Sequence, residues 1–276
     1  MTVINTNVNA LFSQNSLKIN NRELSHAMEQ LSTGQRINSA KDDAAGLAIT
    51  NNMTSYIRGM SMAVRNANDG ISMLQTAEGA MIEQTNMLQR MRELAVQAAT
   101  ASNNSTQIGY LNTEFQALDT QINNIATQTK WNGSTLLNAT TASSGTYAFI
   151  VGAAGTETVS VAITNVQNTA SGLATADLAI SNTVSAQAAI VAIDTALGTI
   201  NSARATIGAG INQLTYAADN LNNVVQNTTA SRSQILDTDY AVATTKLASA
   251  QIIQQAATAM LAQANQSQQG VLALLK

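Results

Sequence analysis

Apolar residues return at every seventh position near both ends of this chain. From Leu236 the series runs Leu236, Ala243, Ala250, Ala257, Ala264 and Val271, and four residues beyond each stand Tyr240, Leu247, Gln254, Leu261, Gln268 and Leu275. Two interleaved series of this kind form the seam of a coiled coil. The opening of the chain mirrors it with Val3, Ala10, Leu17, Leu24 and Leu31. Between the ends lie a longer repeat (Met53, Met60, Ala67, Leu74, Met81, Leu88, Ala95) and two stretches at 3–4 spacing, Ile108 to Ile125 and Ile190 to Val225. All of these predict long helices. From 146 to 163 the period drops to two, with Tyr147, Phe149 and Val151, then Val159, Val161 and Ile163, around Gly-Ala-Ala-Gly at 152–155. That alternation predicts a β-hairpin. The flanking Ser/Thr-rich residues 138–146 and 164–185 read as loops. The expected fold is mainly α: long antiparallel helical rods with coiled-coil termini, plus a small β-hairpin region. Residues 1–43 with 236–276 would form the terminal domain. Residues 44–235 would form a helical rod domain with the hairpin and a short Ser/Thr-rich segment at 138–185.

Charge sharpens this picture. Only 11% of residues are charged, the net charge is −3 and the pI is near 5.1, so no basic footprint for nucleic acid is present. Residues 247 to 275 carry no charge at all, yet Gln251, Gln254, Gln255, Gln263, Asn265, Gln266, Gln268 and Gln269 fall within them. No unbroken apolar run reaches membrane-spanning length, so no membrane span is expected. As a helix this stretch would be about 43 Å long. One seam buries one stripe and leaves Ile252, Ile253, Met260, Leu272 and Leu274 at least partly wet. An apolar strip of that extent calls for a partner: further copies of the same helix or a dedicated binding protein.

Candidate chemistry is thin. Cys and Pro are absent and His26 is the lone histidine, so no Cys/His metal set can be assembled and no cofactor is expected. Ser25 adjoins His26 and points in a different helical direction, which argues against a catalytic triad and against an enzyme. A lectin or adhesin would need a concave aromatic or polar site, and Trp131 and five Tyr are scattered along the sequence. Arg36, Lys41, Asp42 and Asp43 form a charged helix-junction cluster, either solvated or bridging subunits. Gln89, Arg90, Arg92, Glu93, Leu94 and Gln97 concentrate charge on one helix whose seam continues through Leu88 and Ala95, with Glu114 on the next helix; on residue chemistry alone they read as an ordinary polar face.

Several longer runs resemble one family. LSTGQRINSAKDDAAGLAI (31–49), LQRMRELAVQAA (88–99), WNGSTLL (131–137), SRSQILDTDYA (231–241), AQIIQQAATAMLAQANQ (250–266) and the closing VLALLK are similar to bacterial flagellin. The resemblance spans about 1–137 and 186–276. It implies a structural subunit, exported unfolded through a type III channel, that self-polymerises into the extracellular flagellar filament used for motility. The terminal helices would order on assembly into an inner tube, and the short middle implies a minimal form lacking large outer domains. Implied assembly residues are Leu17, Leu24, Leu31, Arg36, Asp42, Asp43, Leu236, Tyr240, Leu247, Gln254, Leu261 and Leu275. Implied partners are the homopolymer itself, hook-associated proteins, the filament cap and an export chaperone. Recognition by vertebrate Toll-like receptor 5 is implied through Gln89, Arg90, Glu93, Leu94, Gln97 and Glu114. The alternative is a hook–filament junction protein with flagellin-like termini. Gln268, where many members carry Pro, and Ile211-Asn212-Gln213, where Gln-Asn-Arg is common, depart from the pattern. Ser143, Ser144, Thr146 and Thr164 are candidate O-glycosylation positions by the same resemblance.

Overall fold

The computed structural model describes residues 6–138, 145–169, 172–176 and 178–273, with side chains as far as residue 267. Val3, Ser143, Ser144, Leu275 and the Gln268 side chain lie outside the described residues. Five helices dominate: α1 (Val8–Thr33), α2 (Ala44–Ala98), α3 (Ser105–Gln128), α4 (Thr183–Leu236) and α5 (Tyr240–Ala273). Two antiparallel strand pairs accompany them, β1 (Lys130–Trp131) with β2 (Ser134–Thr135) and β3 (Thr146–Ile150) with β4 (Thr158–Ala162). The fold is therefore mainly α, with the expected hairpin (β3–β4) in its expected place and a second, shorter strand pair before it. The chain divides into two compact units, residues 1–55 with 227–276 and residues 56–226.

In the first unit, α1 pairs with α5. Asn7 starts α1, its side chain accepting the Ala10 amide at 3.0 Å, which satisfies one of the orphan donors of a helix start. Gly34 ends it in the left-handed conformation, φ 71°, with its amide on the Gln30 carbonyl at 3.0 Å, a conformation that costs glycine nothing. Its neighbours then turn back. Gln35 bridges Asp237, the Arg36 amide donates to the Leu236 carbonyl at 2.7 Å and the Thr238 amide to Gly34 at 3.0 Å. A two-strand clasp thus ties the α1–α2 connection to the α4–α5 connection.

In the second unit, one aliphatic core joins α2, α3, α4 and the hairpin. Leu74, Met81, Leu88, Met91, Phe115, Ile122, Ile193, Ile200, Ile207 and Leu214 are all fully buried, the 3–4 spacing of each helix facing inward. The hairpin pairs Thr146 with Ala162 through Ile150 with Thr158, and its inward residue Val161 is buried. It lies close to the helices because two of them lack a side chain where it arrives. A Cβ on Gly70 would sit 2.8 Å from the Phe149 ring, and one on Gly210 would sit 2.5 Å from a Val161 methyl.

The short β1–β2 pair was not legible as structure. It closes on Asn132 (φ 46°) and Gly133 (φ 83°), the Asn-Gly chemistry of a tight hairpin turn. Among the described residues α4 is the one helix long and apolar enough to cross a membrane. A count of unbroken apolar runs misses it because Thr195, Thr199 and Asn201 interrupt the sequence. Here its apolar stripe, Ala186, Ala189, Ile193, Ala196, Ile200, Ala203 and Ile207, is buried in the protein core.

Candidate assembly and recognition surfaces

The α1–α5 pair is thin and incompletely covered. On α5, Ala243 and Ala250 are buried and Leu247, Gln254, Ala257, Leu261 and Ala264 are half-buried, while Ile252, Ile253 and Met260 are exposed. On α1, Leu17, Leu24 and Leu31 are half-buried, while Val8, Leu11, Phe12 and Ile19 are exposed, Phe12 at 74%. Both seams thus meet, and both helices keep a large apolar edge in water.

Amides cross this seam. Asn20, 4% exposed, donates to the Ala250 carbonyl at 2.8 Å. Asn7 donates to the Ala264 carbonyl at 3.1 Å, and Gln254 donates to the Asn21 side chain at 3.1 Å. The heptad reading set Ala27 beside the seam and passed over Asn20; they stand three residues after Leu24 and Leu17 and are more deeply buried than those leucines. The line at +3 was the available signal.

The charged junction is occupied within the chain. Asp42 accepts the Asn38 and Ser39 amides and the Ser39 hydroxyl at 3.2, 3.0 and 3.0 Å. Burial alone would raise its carboxyl, but these hydrogen bonds, with His26 3.9 Å away, hold it below the ordinary value of 3.8. Asp43 caps α2 by accepting the Gly46 amide at 2.8 Å. The Arg36 guanidinium donates twice to the Ile235 carbonyl, at 3.2 and 2.8 Å. Leu236 is half-buried and supplies the carbonyl for the Arg36 amide; Tyr240, 56% exposed, reaches the Leu31 carbonyl at 3.4 Å.

On α2, Gln89, Arg90, Glu93 and Gln97 share one exposed face with Glu114 of α3. The Arg90 guanidinium donates to Glu114 and to Glu93, each at 2.9 Å; the Glu114 hydrogen bond, then that of Glu93, raises its pKa further. Leu94 differs from the rest. It is 1% exposed and belongs to the core, because the Leu88–Met91–Leu94–Ala98 stripe faces inward. Two pairs escaped sequence reading, Arg92–Asp194 at 2.7 Å and Arg204–Glu78 at 3.8 Å; partners a hundred residues apart leave no local signature.

Paired terminal helices with unburied apolar edges, carried on a helical frame, define a structural protein of the assembling class. Residues 4–142 match the bacterial flagellin N-terminal helical region and residues 190–275 the bacterial flagellin C-terminal helical region. The flagellin of Halalkalibacterium halodurans is 42% identical, over 99% of this chain and 100% of that protein. Flagellin A of Vibrio cholerae is 48% identical over 60% of this chain but only 44% of its own length. The crystal structure of Bacillus cereus flagellin superposes with a TM-score of 0.51 at 31% identity, covering 57% of this chain and 88% of that one. A Vibrio parahaemolyticus protein described as flagellar hook-associated reaches a TM-score of 0.58, covering 71% of this chain and 100% of that one, but at 16% identity it shares the fold alone. The chain belongs to the flagellin family, as a structural subunit of the flagellar filament and not an enzyme.

Proposed function

We propose that this chain self-polymerises into the extracellular filament through its terminal helix pair, residues 1–43 with 236–276, while residues 44–235 form the outer helical rod. The carrying observation is the apolar edge of Phe12, Ile19, Ile252, Ile253 and Met260, exposed on a pair too thin to cover it. At roughly 25 cal/mol per Å2 of apolar surface, burying that edge between copies supplies the driving force. Leu17, Leu24, Leu31, Leu247, Gln254 and Leu261 then hold each pair together beneath the shared surface. Arg36, Asp42 and Asp43 brace its base through intrachain bonds.

A chain without Cys or Pro threads and refolds with no disulfide or proline isomerisation step, which suits type III export in an unfolded state with a chaperone on the apolar helix. Filament cap and hook-associated proteins are the expected partners at its ends. The exposed face of Gln89, Arg90, Glu93, Gln97 and Glu114 is the proposed Toll-like receptor 5 surface, with Leu94 supporting it from below. Its support is the preset Arg90 fork, held between two carboxylates at the surface.

The test is electron microscopy of the purified monomer with short filament seeds in concentrated sulfate, which strengthens apolar burial. Long uniform filaments from the full chain, and none from a chain lacking 247–276, are expected. Persistent monomers of the full chain under seeding would favour the junction-protein alternative; filaments from the truncated chain would refute assembly through the terminal pair.

A further inference from the structure

The tight turn that carries Trp131 does more than close a strand pair. Trp131, the chain's single tryptophan, lines a cleft of about 270 Å3 with Phe149, Met73, Gly70, Asn66 and Asp69. Gly70 lets the Phe149 ring lie directly against α2, so two of the few aromatic rings in the protein meet in one concavity. The β1–β2 register and the left-handed Asn132-Gly133 turn fix the backbone from which the indole projects. The polar edge is unspent. Asp69 is exposed, and among the described residues its carboxylate makes no hydrogen bond or ion pair and the Trp131 indole N–H has no partner. Asn66 commits one N–H to the Ile150 carbonyl at a long 3.4 Å. Asn66 and Asp69 stand three apart on α2 and so share a face.

We propose that this cleft binds a single pyranose ring of a neutral sugar. The apolar C–H face of such a ring packs against aromatic faces, and each of its hydroxyls both donates and accepts. Asp69 supplies acceptors, the indole N–H a donor, and the Asn66 amide both. A quaternary ammonium is the other ligand class that suits aromatic rings beside a carboxylate. It has no acceptor for the indole N–H or the Asn66 amide, so the donors favour the sugar. At about 270 Å3 the cleft lies just below the roughly 300–1,000 Å3 range of drug-sized small-molecule sites, which fits one ring rather than an extended chain.

The lone tryptophan makes the site its own reporter. Full-length monomer is titrated with methyl α-glucopyranoside, which mimics a glycan-linked ring, with free glucose, and with choline, while Trp131 fluorescence is followed. A saturable change with a dissociation constant on the order of 1 mM is expected for a sugar, weakened about tenfold by Asp69→Ala or Asn66→Ala with circular dichroism unchanged. Response to the methyl glycoside alone assigns a linked sugar, and response to both assigns the ring itself. Saturation by choline alone, no saturable change with either sugar, or undiminished sugar binding by both well-folded variants would overturn the proposal.

Discussion

One oxygen of Asp42 accepts two backbone amides and a hydroxyl, and its pKa is depressed as a result. The unfolded chain therefore takes up this proton first as pH falls. Its contribution to stability is complete above the unfolded value and is lost as pH drops through the lower, folded one. Asp42→Asn should flatten the fall in denaturation midpoint below about pH 4, measured by urea melts at descending pH. Leu94 and Arg90, four residues apart, separate packing from docking. Leu94→Ala empties a fully buried site and should cost about 2–5 kcal/mol, seen as a lower Tm. Arg90→Ala removes an exposed fork and should leave Tm nearly unchanged while strongly weakening a Toll-like receptor 5 reporter response. Equal signalling by Arg90→Ala and the parent chain would end the receptor assignment.

Among elements, the α1–α5 seam turns on a buried amide. Asn20 donates once, and its Oδ1 is buried without a partner among the described residues, a group left desolvated at a cost of about 1–3 kcal/mol. Asn20→Leu, similar in size and free of that orphan, should leave the pair as stable or more so. Asn20→Asp buries an uncompensated charge and should destabilise it by on the order of 3 kcal/mol. Melting of the terminal helices, followed by circular dichroism in filaments, checks the order of the two. The hairpin makes a parallel case, since Gly210→Ala brings a Cβ against Val161. Overpacking of this kind costs about 1–3 kcal/mol and should lower the Tm of the 56–226 unit without altering helix content.

For the whole molecule, the proposed assembly surface predicts that the apolar edge matters more in the filament than in the monomer. Met260→Asp and Ile253→Asp change residues that are exposed in the single chain, so monomer melting should barely move. In the filament the same carboxylates would be desolvated without a partner, and seeded elongation measured by sedimentation should stop. Elongation at the parent rate would move the assembly surface elsewhere.

The periodicity of the chain by itself determined the long helices, the β3–β4 hairpin and the meeting of the two ends, because repeats of seven, 3.6 and two are local consequences of backbone geometry. Tertiary structure decided what depends on approach in space. It drew Leu94 inward from a face that otherwise looks outward, and it buried Asn20 and Ala27 more deeply in the seam than Leu17 and Leu24. It also spent Asp42, Asp43 and Arg36 on capping and clasping bonds within the chain, and set Arg92 against Asp194. Trp131 and Phe149, eighteen positions apart and unremarked as a pair, became neighbours because Gly70 leaves room for a ring on α2. Such contacts depend on where a helix stripe faces and where a side chain is missing, and both are settled only when the elements come together.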